Sequence, residues 1–231
     1  MSYRIGIIAA LAGELKPLVS GWSQQPDGAF LTQRGDLAAI AVAKGIGAQR
    51  AEKAVAIAES YGHLDALVSI GWAGGASCGV QPGTAYEVGE VIDAVTGERY
   101  ATSADGSPIK LVTLDHVAGR DEKRRVAEQH GASLVDMEAA AVGRAARAKG
   151  IPFHCWKAVT DIASEDLPDF NYFLDQEKQL RTRQVAAYAL THPRYVAPLL
   201  RMGRNSKSGA DALGQVLRRW MDEGKYADRN G

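Results

Sequence analysis

The sequence predicts an α/β protein: one layered domain with a central mixed β-sheet flanked by helices. Two patterns carry that prediction. Short, continuous apolar runs such as "DALVSIG" and "IPFHCWKAVTD" read as strands covered on both faces. Between them lie segments whose apolar residues recur at helical spacing. Strand and helix alternate over most of the length, which is the signature of layered α/β folds. No linker, repeat or low-complexity block interrupts the pattern. Residues 1–231 therefore read as a single domain, with 170–231 a mostly helical C-terminal extension.

The elements follow in order. "RIGIIAA" followed by "GELKPLVSGW" reads as a first strand entering a first helix. Arg4, the apolar run and the Ala10–Ala12 triplet also sketch a signal peptide, but one basic residue and a short run favour the strand. "SQQPDG" is turn-rich. "AFLTQRGDLAAIAVAKG" reads as two strands around Arg34-Gly35-Asp36, a hairpin signal. In "AQRAEKAVAIAESYG", residues Ala51, Ala54, Val55, Ile57 and Ala58 form one buried helical stripe, ended by Gly62. "DALVSIG" is a strand, and "WAGGASCGVQPG" reads as a loop from its glycines and Pro82. "TAYEVGEVIDAV" is strand-like up to the turn at Thr96-Gly97. "IKLVTLD" is a strand, "GRDEKRRVAEQHG" a charged surface helix, "ASLVDM" a short strand and "EAAAVGRAARAKG" a helix closed by Gly150. "IPFHCWKAVTD" is a buried strand, and the chain is mostly helical from Phe170 onward.

Composition excludes several classes of function. Lysine plus arginine number 27 and so do aspartate plus glutamate, so net charge points to no nucleic-acid partner. Cys78 and Cys155 stand far apart with no CxxC, which reads as two reduced thiols in a cytoplasmic protein. The five histidines show no metal-ligand spacing. No run approaches the ~18 apolar residues of a membrane-spanning helix.

In open α/β sheets a ligand sits beyond the carboxyl ends of the strands. That rim collects Glu14, the Gly45–Gly47 turn, Trp72–Gly75, Asp115, Glu138 and Asp161. "GIGAQRA" at Gly45 resembles half a dinucleotide fingerprint. It follows the hairpin rather than the first strand, however, and no acid ends the next strand, so it reads as a tight turn under a closely packed helix. In "GWAGGAS" the glycines let the backbone approach a ligand without Cβ interference, and a flexible loop is the plain alternative. Glu138 taken alone could be a first-turn acid favoured by the helix dipole, and Asp161 a capping acid.

The segments "IGIIAALAGEL", "AKGIGAQRA", "SIGWAGGASCGVQPGTAYEV", "LVDMEAAAV" and "PFHCWKAVTDIAS", in that order, resemble the nucleoside phosphorylase superfamily over residues 3 to about 165. The likeness is to the branch of methylthioadenosine/S-adenosylhomocysteine nucleosidases and hopanoid-associated phosphorylases. The tail "THPRYVAPLLRMGRNSKSGADAL" and the short Tyr86–Met137 span are closer to the latter. The resemblance implies cleavage of the N-glycosidic bond of a purine nucleoside, adenine above all, without metal or organic cofactor. Phosphate is the one co-substrate it leaves open. It implies that Glu138 binds the ribose hydroxyls and Met137 packs on the sugar. Asp161, preceded by Thr160, would stand at purine N7, and Glu14 would position or deprotonate the attacking water. Ala73 and Gly74 would lie beside ribose and nucleophile. It also implies a homodimer.

Two positions depart from the family. Trp72 stands where a small or hydroxyl residue is usual, so an indole could fill or redirect the nucleophile pocket. Val117 replaces the aromatic ring that stacks on the base. Lys44, Arg50 and Arg120 are the loop cations available to an anion, each readable as a solvated charge. A nucleoside-binding protein without turnover is the alternative. Leu213, Val216, Leu217, Trp220 and Met221 form one apolar stripe near Arg201, Arg204, Lys207, Arg218 and Arg219. It reads either as a helix packed on its own domain or as a weak membrane-surface contact.

Overall fold

In the computed structural model, which describes residues 2–104, 106–175, 180–224 and 226, strand β1 (Tyr3–Ala9) runs through the middle of the sheet. A short helix α1 (Ala12–Leu15) leaves its end. Strands β2 (Ser23–Gln24), β3 (Phe30–Arg34) and β4 (Leu37–Ala43) follow, with β3 and β4 joined as the predicted hairpin at Gly35. Helix α2 (Ala48–Ser60) leads into β5 (Ala66–Gly75). Strands β6 (Ala85–Glu87), β7 (Glu90–Asp93), β8 (Arg99–Ala101) and β9 (Lys110–Thr113) come next. Helix α3 (Arg120–His130), β10 (Leu134–Asp136), α4 (Ala139–Lys149) and β11 (Phe153–Ile162) complete the layered part. Helices α5 (Thr182–Thr191) and α6 (Val196–Asp222) make up most of the C-terminal extension.

The sheet order is β2-β3-β4-β1-β5-β10-β9-β7-β8, with β11 also paired to β5 and β6. Pairing of β4, β1, β5 and β11 is parallel, while β10 meets the far end of β5 antiparallel at Gly74 and Gly75. The mixed sheet predicted from the sequence is therefore present. Its parallel centre is covered on both faces, which is why those strands read as unbroken apolar runs. One face packs under α2 and α4 through residues such as Leu67, Ala54 and Val142; the other packs under α1 and α6 through Ile7, Val68 and Leu217.

Three expectations are corrected. Trp72–Gly75 are not a loop but the last four residues of β5, because β11 pairs with them through Ile162. The stretch after Thr84 is two strands rather than one. They break at Gly89, where an added Cβ would lie 2.3 Å from the Ser107 carbonyl oxygen. Finally, Leu213, Leu217, Trp220 and Met221 on α6 are buried in the domain's own core, with Trp220 against Trp156 and His154. Gly209 and Gly214 let α6 approach Ala158 and Pro17 closely enough for this. Each such burial is worth about 1.5–3 kcal/mol. The apolar half of the supposed membrane-surface helix is thus already committed, and that reading is withdrawn. Among the described residues no helix is long and apolar enough to cross a membrane.

Candidate active site

A cavity of about 630 Å³ opens at the carboxyl ends of β1, β5, β10 and β11. The nine positions that the resemblance sets at the site all line it: Glu14, Trp72, Ala73, Gly74, Val117, Met137, Glu138, Thr160 and Asp161; Gly75 does not. The Gly45–Gly47 turn contributes Ile46. Asp115 does not line it; its side chain is exposed and accepts from His116 at 2.6 Å.

Glu14 is 3% exposed although it is an acid on a four-residue helix. Its Oε2 accepts the N–H groups of Ala10 (2.9 Å) and Leu11 (2.8 Å), and its Oε1 accepts that of Trp72 (2.8 Å). A Cβ at Gly71, whose φ is +149°, would sit 2.9 Å from Glu14 Oε1, so only glycine leaves the carboxylate its place. Burial pushes the Glu14 carboxyl up from its ordinary range, against those hydrogen bonds and the nearby Lys157 charge.

Glu138 is the N-cap of α4, and its Oε1 accepts the Gly47 N–H at 2.6 Å. This gives the Gly45–Gly47 turn its function: it brings a main-chain donor to the acid. Burial, then the neighbouring Asp136 carboxylate, push Glu138 up to about 8, against Lys157 and the Gly47 hydrogen bond.

Beneath Glu138 lies a network that sequence reasoning did not single out. Lys157 is 1% exposed and its Nζ stands 2.8 Å from Asp136 Oδ2. Asp136 also accepts from Thr113 Oγ1 (2.6 Å) and from the Ala139 N–H (2.9 Å), while Thr113 Oγ1 accepts the Ala140 N–H (3.0 Å). Asp136 and Thr113 therefore satisfy the first N–H groups of α4 and fix where Met137 and Glu138 point. Burial alone would lower Lys157; the Asp136 carboxylate beside it outweighs that and holds the ammonium above its ordinary range. A lysine inside an apolar strand carries no sequence signal of a partner 21 residues upstream.

Asp161 is placed by an irregularity. In the β11–β5 ladder Val159 pairs with Ala73 and Asp161 with Gly74, leaving Thr160 as an extra residue. Such a bulge re-aims the side chains that follow it. Asp161 Oδ1 accepts from Thr160 Oγ1 at 2.8 Å, and Oδ2 accepts from Lys123 Nζ. Lys123, on the helix predicted to be a charged surface helix, is 5% exposed and borders the cavity. The helix is charged on its outer face, but Lys123 and Val126, three residues apart, turn inward. That spacing was the only sequence signal.

The departures have definite places. Trp72 lines the cavity with its ring over Gly13, and its Nε1 donates to the Ser206 carbonyl at 3.0 Å, so the indole forms a wall between α1 and α6. Val117 lines the cavity, and its main-chain N–H and C=O are bonded by the Asn171 amide at 3.0 and 2.9 Å. Of the loop cations, Lys44 donates to the Asp27 carbonyl and Arg120 to the Ser164 carbonyl; only Arg120 borders the cavity.

The sequence model of the phosphorylase superfamily matches residues 87–191. No curated protein sequence matches the chain. Among solved structures, the 5′-methylthioadenosine nucleosidase of Arabidopsis thaliana superposes with a TM-score of 0.74 at 18% identity, covering 99% of this chain and 98% of that one. Futalosine hydrolase of Helicobacter pylori gives 0.72 at 14%, covering 96% and 99%. The S-adenosylhomocysteine nucleosidase of Streptococcus pyogenes gives 0.71 at 19%, covering 96% and 97%. The fold and the superfamily resemblance read from the sequence are borne out.

Proposed function

We propose that this chain, which has the nucleoside phosphorylase fold, cleaves the N-glycosidic bond of a purine nucleoside by hydrolysis. The observation that carries the reading is that two buried acids, Glu14 and Glu138, and a third acid, Asp161, line one cavity. As the bond breaks, its electron pair leaves with the base and positive charge grows on the sugar. A carboxylate at Glu138 that accepts from the ribose hydroxyls gains strength as that charge develops. Met137 lies beside it as the apolar face for the sugar. Glu14 holds the water, takes its proton as oxygen adds to C1′, and is kept in place by its three main-chain donors. Asp161 and its partners serve the departing base.

Hydrolysis rather than phosphorolysis is supported by the wall around Glu14. Among the described residues Ala10, Leu11 and Trp72, whose N–H groups hold Glu14, line the cavity beside it and are neutral, and the cation that acts on Glu14, Lys157, is buried and outside the lining. A phosphate dianion placed there would face a buried carboxylate with only the enclosed Lys157 to offset it. The related solved structures named as nucleosidases or a hydrolase lean the same way. Adenine as the base and a homodimer of the 24.6 kDa chain are part of the proposal.

The test is base release from a panel of purine nucleosides, with and without phosphate. Release that needs no phosphate supports hydrolysis, strict phosphate dependence replaces it with phosphorolysis, and tight binding without release leaves a binding protein. Sedimentation at micromolar concentration checks the dimer.

A further inference from the structure

Lys123 stands where a helix least favours a cation. It lies in the first turn of α3, at the end whose unpaired N–H groups repel positive charge, and it is buried as well. The fold accommodates it deliberately. A Cβ at Gly74 would come within 2.6 Å of Lys123 Cε and 2.8 Å of its Nζ, so the strand leaves out a side chain for the lysine to reach over it. Its ammonium ends on Asp161 Oδ2.

The hydrogen bonds around Asp161 decide which group has a proton to give. Oδ1 accepts from Thr160 Oγ1 and Oδ2 accepts from Lys123, so both carboxylate oxygens are acceptors. Lys123 Nζ, which carries three N–H donors and accepts nothing, is therefore the group of the pair with hydrogens to spare. Resting on the reading that this cavity cleaves a nucleoside, we propose that Lys123 is a catalytic residue: it donates the proton that the departing base takes up, while Asp161 stays ionised and aims it. The C1′–N bond breaks with its electron pair going to the base. The base takes a proton from Lys123 Nζ and leaves neutral. The amine left behind is reprotonated from solvent once the base has gone. An ammonium is a weaker acid than a carboxylic acid, but the purine anion is a far stronger base than the bound nucleoside, so transfer belongs to late bond cleavage. Thr160, at the bulge, holds the other oxygen and keeps Asp161 turned toward the lysine.

The test compares a purine nucleoside with 4-nitrophenyl β-D-ribofuranoside, whose leaving group departs without protonation. Lys123→Met should lower kcat on the purine nucleoside by on the order of 10²-fold and leave the nitrophenyl riboside within about threefold. Lys123→Gln keeps a donor to Asp161 but has no proton to yield; it should show the same split, and it carries the comparison if the methionine variant melts early. Equal loss on both substrates by a variant with wild-type thermal unfolding, or no loss on the purine nucleoside, overturns the proposal while the proposed function stands. A wild-type protein inert toward every purine nucleoside removes the function and this proposal with it.

Discussion

Around Glu14 and Glu138 the contacts are made by main chain: the N–H groups of Ala10, Leu11, Trp72 and Gly47 all end on these two carboxylates. Around Asp161 they are made by side chains, Thr160 on one oxygen and Lys123 on the other. Main-chain donors at strand and helix ends cannot turn away, so the first end is fixed wherever the sheet is formed. A side-chain ion pair can part, exchange a proton and close again. At the sugar end the two carboxylates act where they stand, Glu138 on the hydroxyls and Glu14 on the water, whereas at the base end an ion pair has to part, and the two constructions match those demands.

The contrast is broken most severely from beneath. Lys157→Met leaves Asp136 as a buried carboxylate without its cation and is expected to cost about 3–5 kcal/mol of stability in denaturant unfolding. Pairing it with Asp136→Asn should recover part of that loss. Unchanged stability in the Lys157→Met variant would mean that the network does not hold the sugar end.

Glu138→Gln tests the fixed end directly. It should lower kcat/KM on a ribonucleoside by about 10²–10³-fold, the scale of losing one preorganised electrostatic group. The 2′-deoxyribonucleoside should lose less, and equal losses would take the ribose contact away.

Titration separates the ends further. With its carboxyl pushed up to about 8, Glu138 in the empty site holds a proton that the unfolded chain, near 4.5, has already released. Its contribution to stability is full below about 4.5 and is lost as pH rises through about 8. A ribose that donates to the ionised carboxylate should therefore bind more tightly as pH rises. Affinity for a non-cleavable nucleoside should gain up to about tenfold per pH unit below about 8. Calorimetry in buffers of different ionisation enthalpy reads the released proton, and Glu138→Gln should abolish the effect.

At the base end Thr160→Val removes one hydrogen bond to a charged group. The expected loss is about 1.5–3 kcal/mol at most, seen in kcat on the purine nucleoside and not on the nitrophenyl riboside. Asn171→Ala, which frees the main chain of Val117, is expected to raise KM only a few-fold with kcat unchanged.

The sequence by itself determined the layered class, the hairpin at Gly35, the stripe on α2 and the helical C-terminus. Each is written in apolar period and turn chemistry, which act over a few neighbours. It also held the acids Glu14, Glu138 and Asp161, because an acid at the end of an apolar run stands out against its surroundings. Trp72–Gly75 misread as loop for the same local reason: glycines signal turns, and only the partner strand β11 reveals that they are paired. Tertiary structure alone decided the rest. Lys157 and Asp136 lie 21 residues apart and Lys123 and Asp161 lie 38 apart, so no local spacing joins them. The bulge at Thr160 exists only in the pairing of two strands. The stripe on α6 is the same stripe whether it faces a bilayer or a core, and what chose the core was the close approach that Gly209 and Gly214 permit to Ala158 and Pro17.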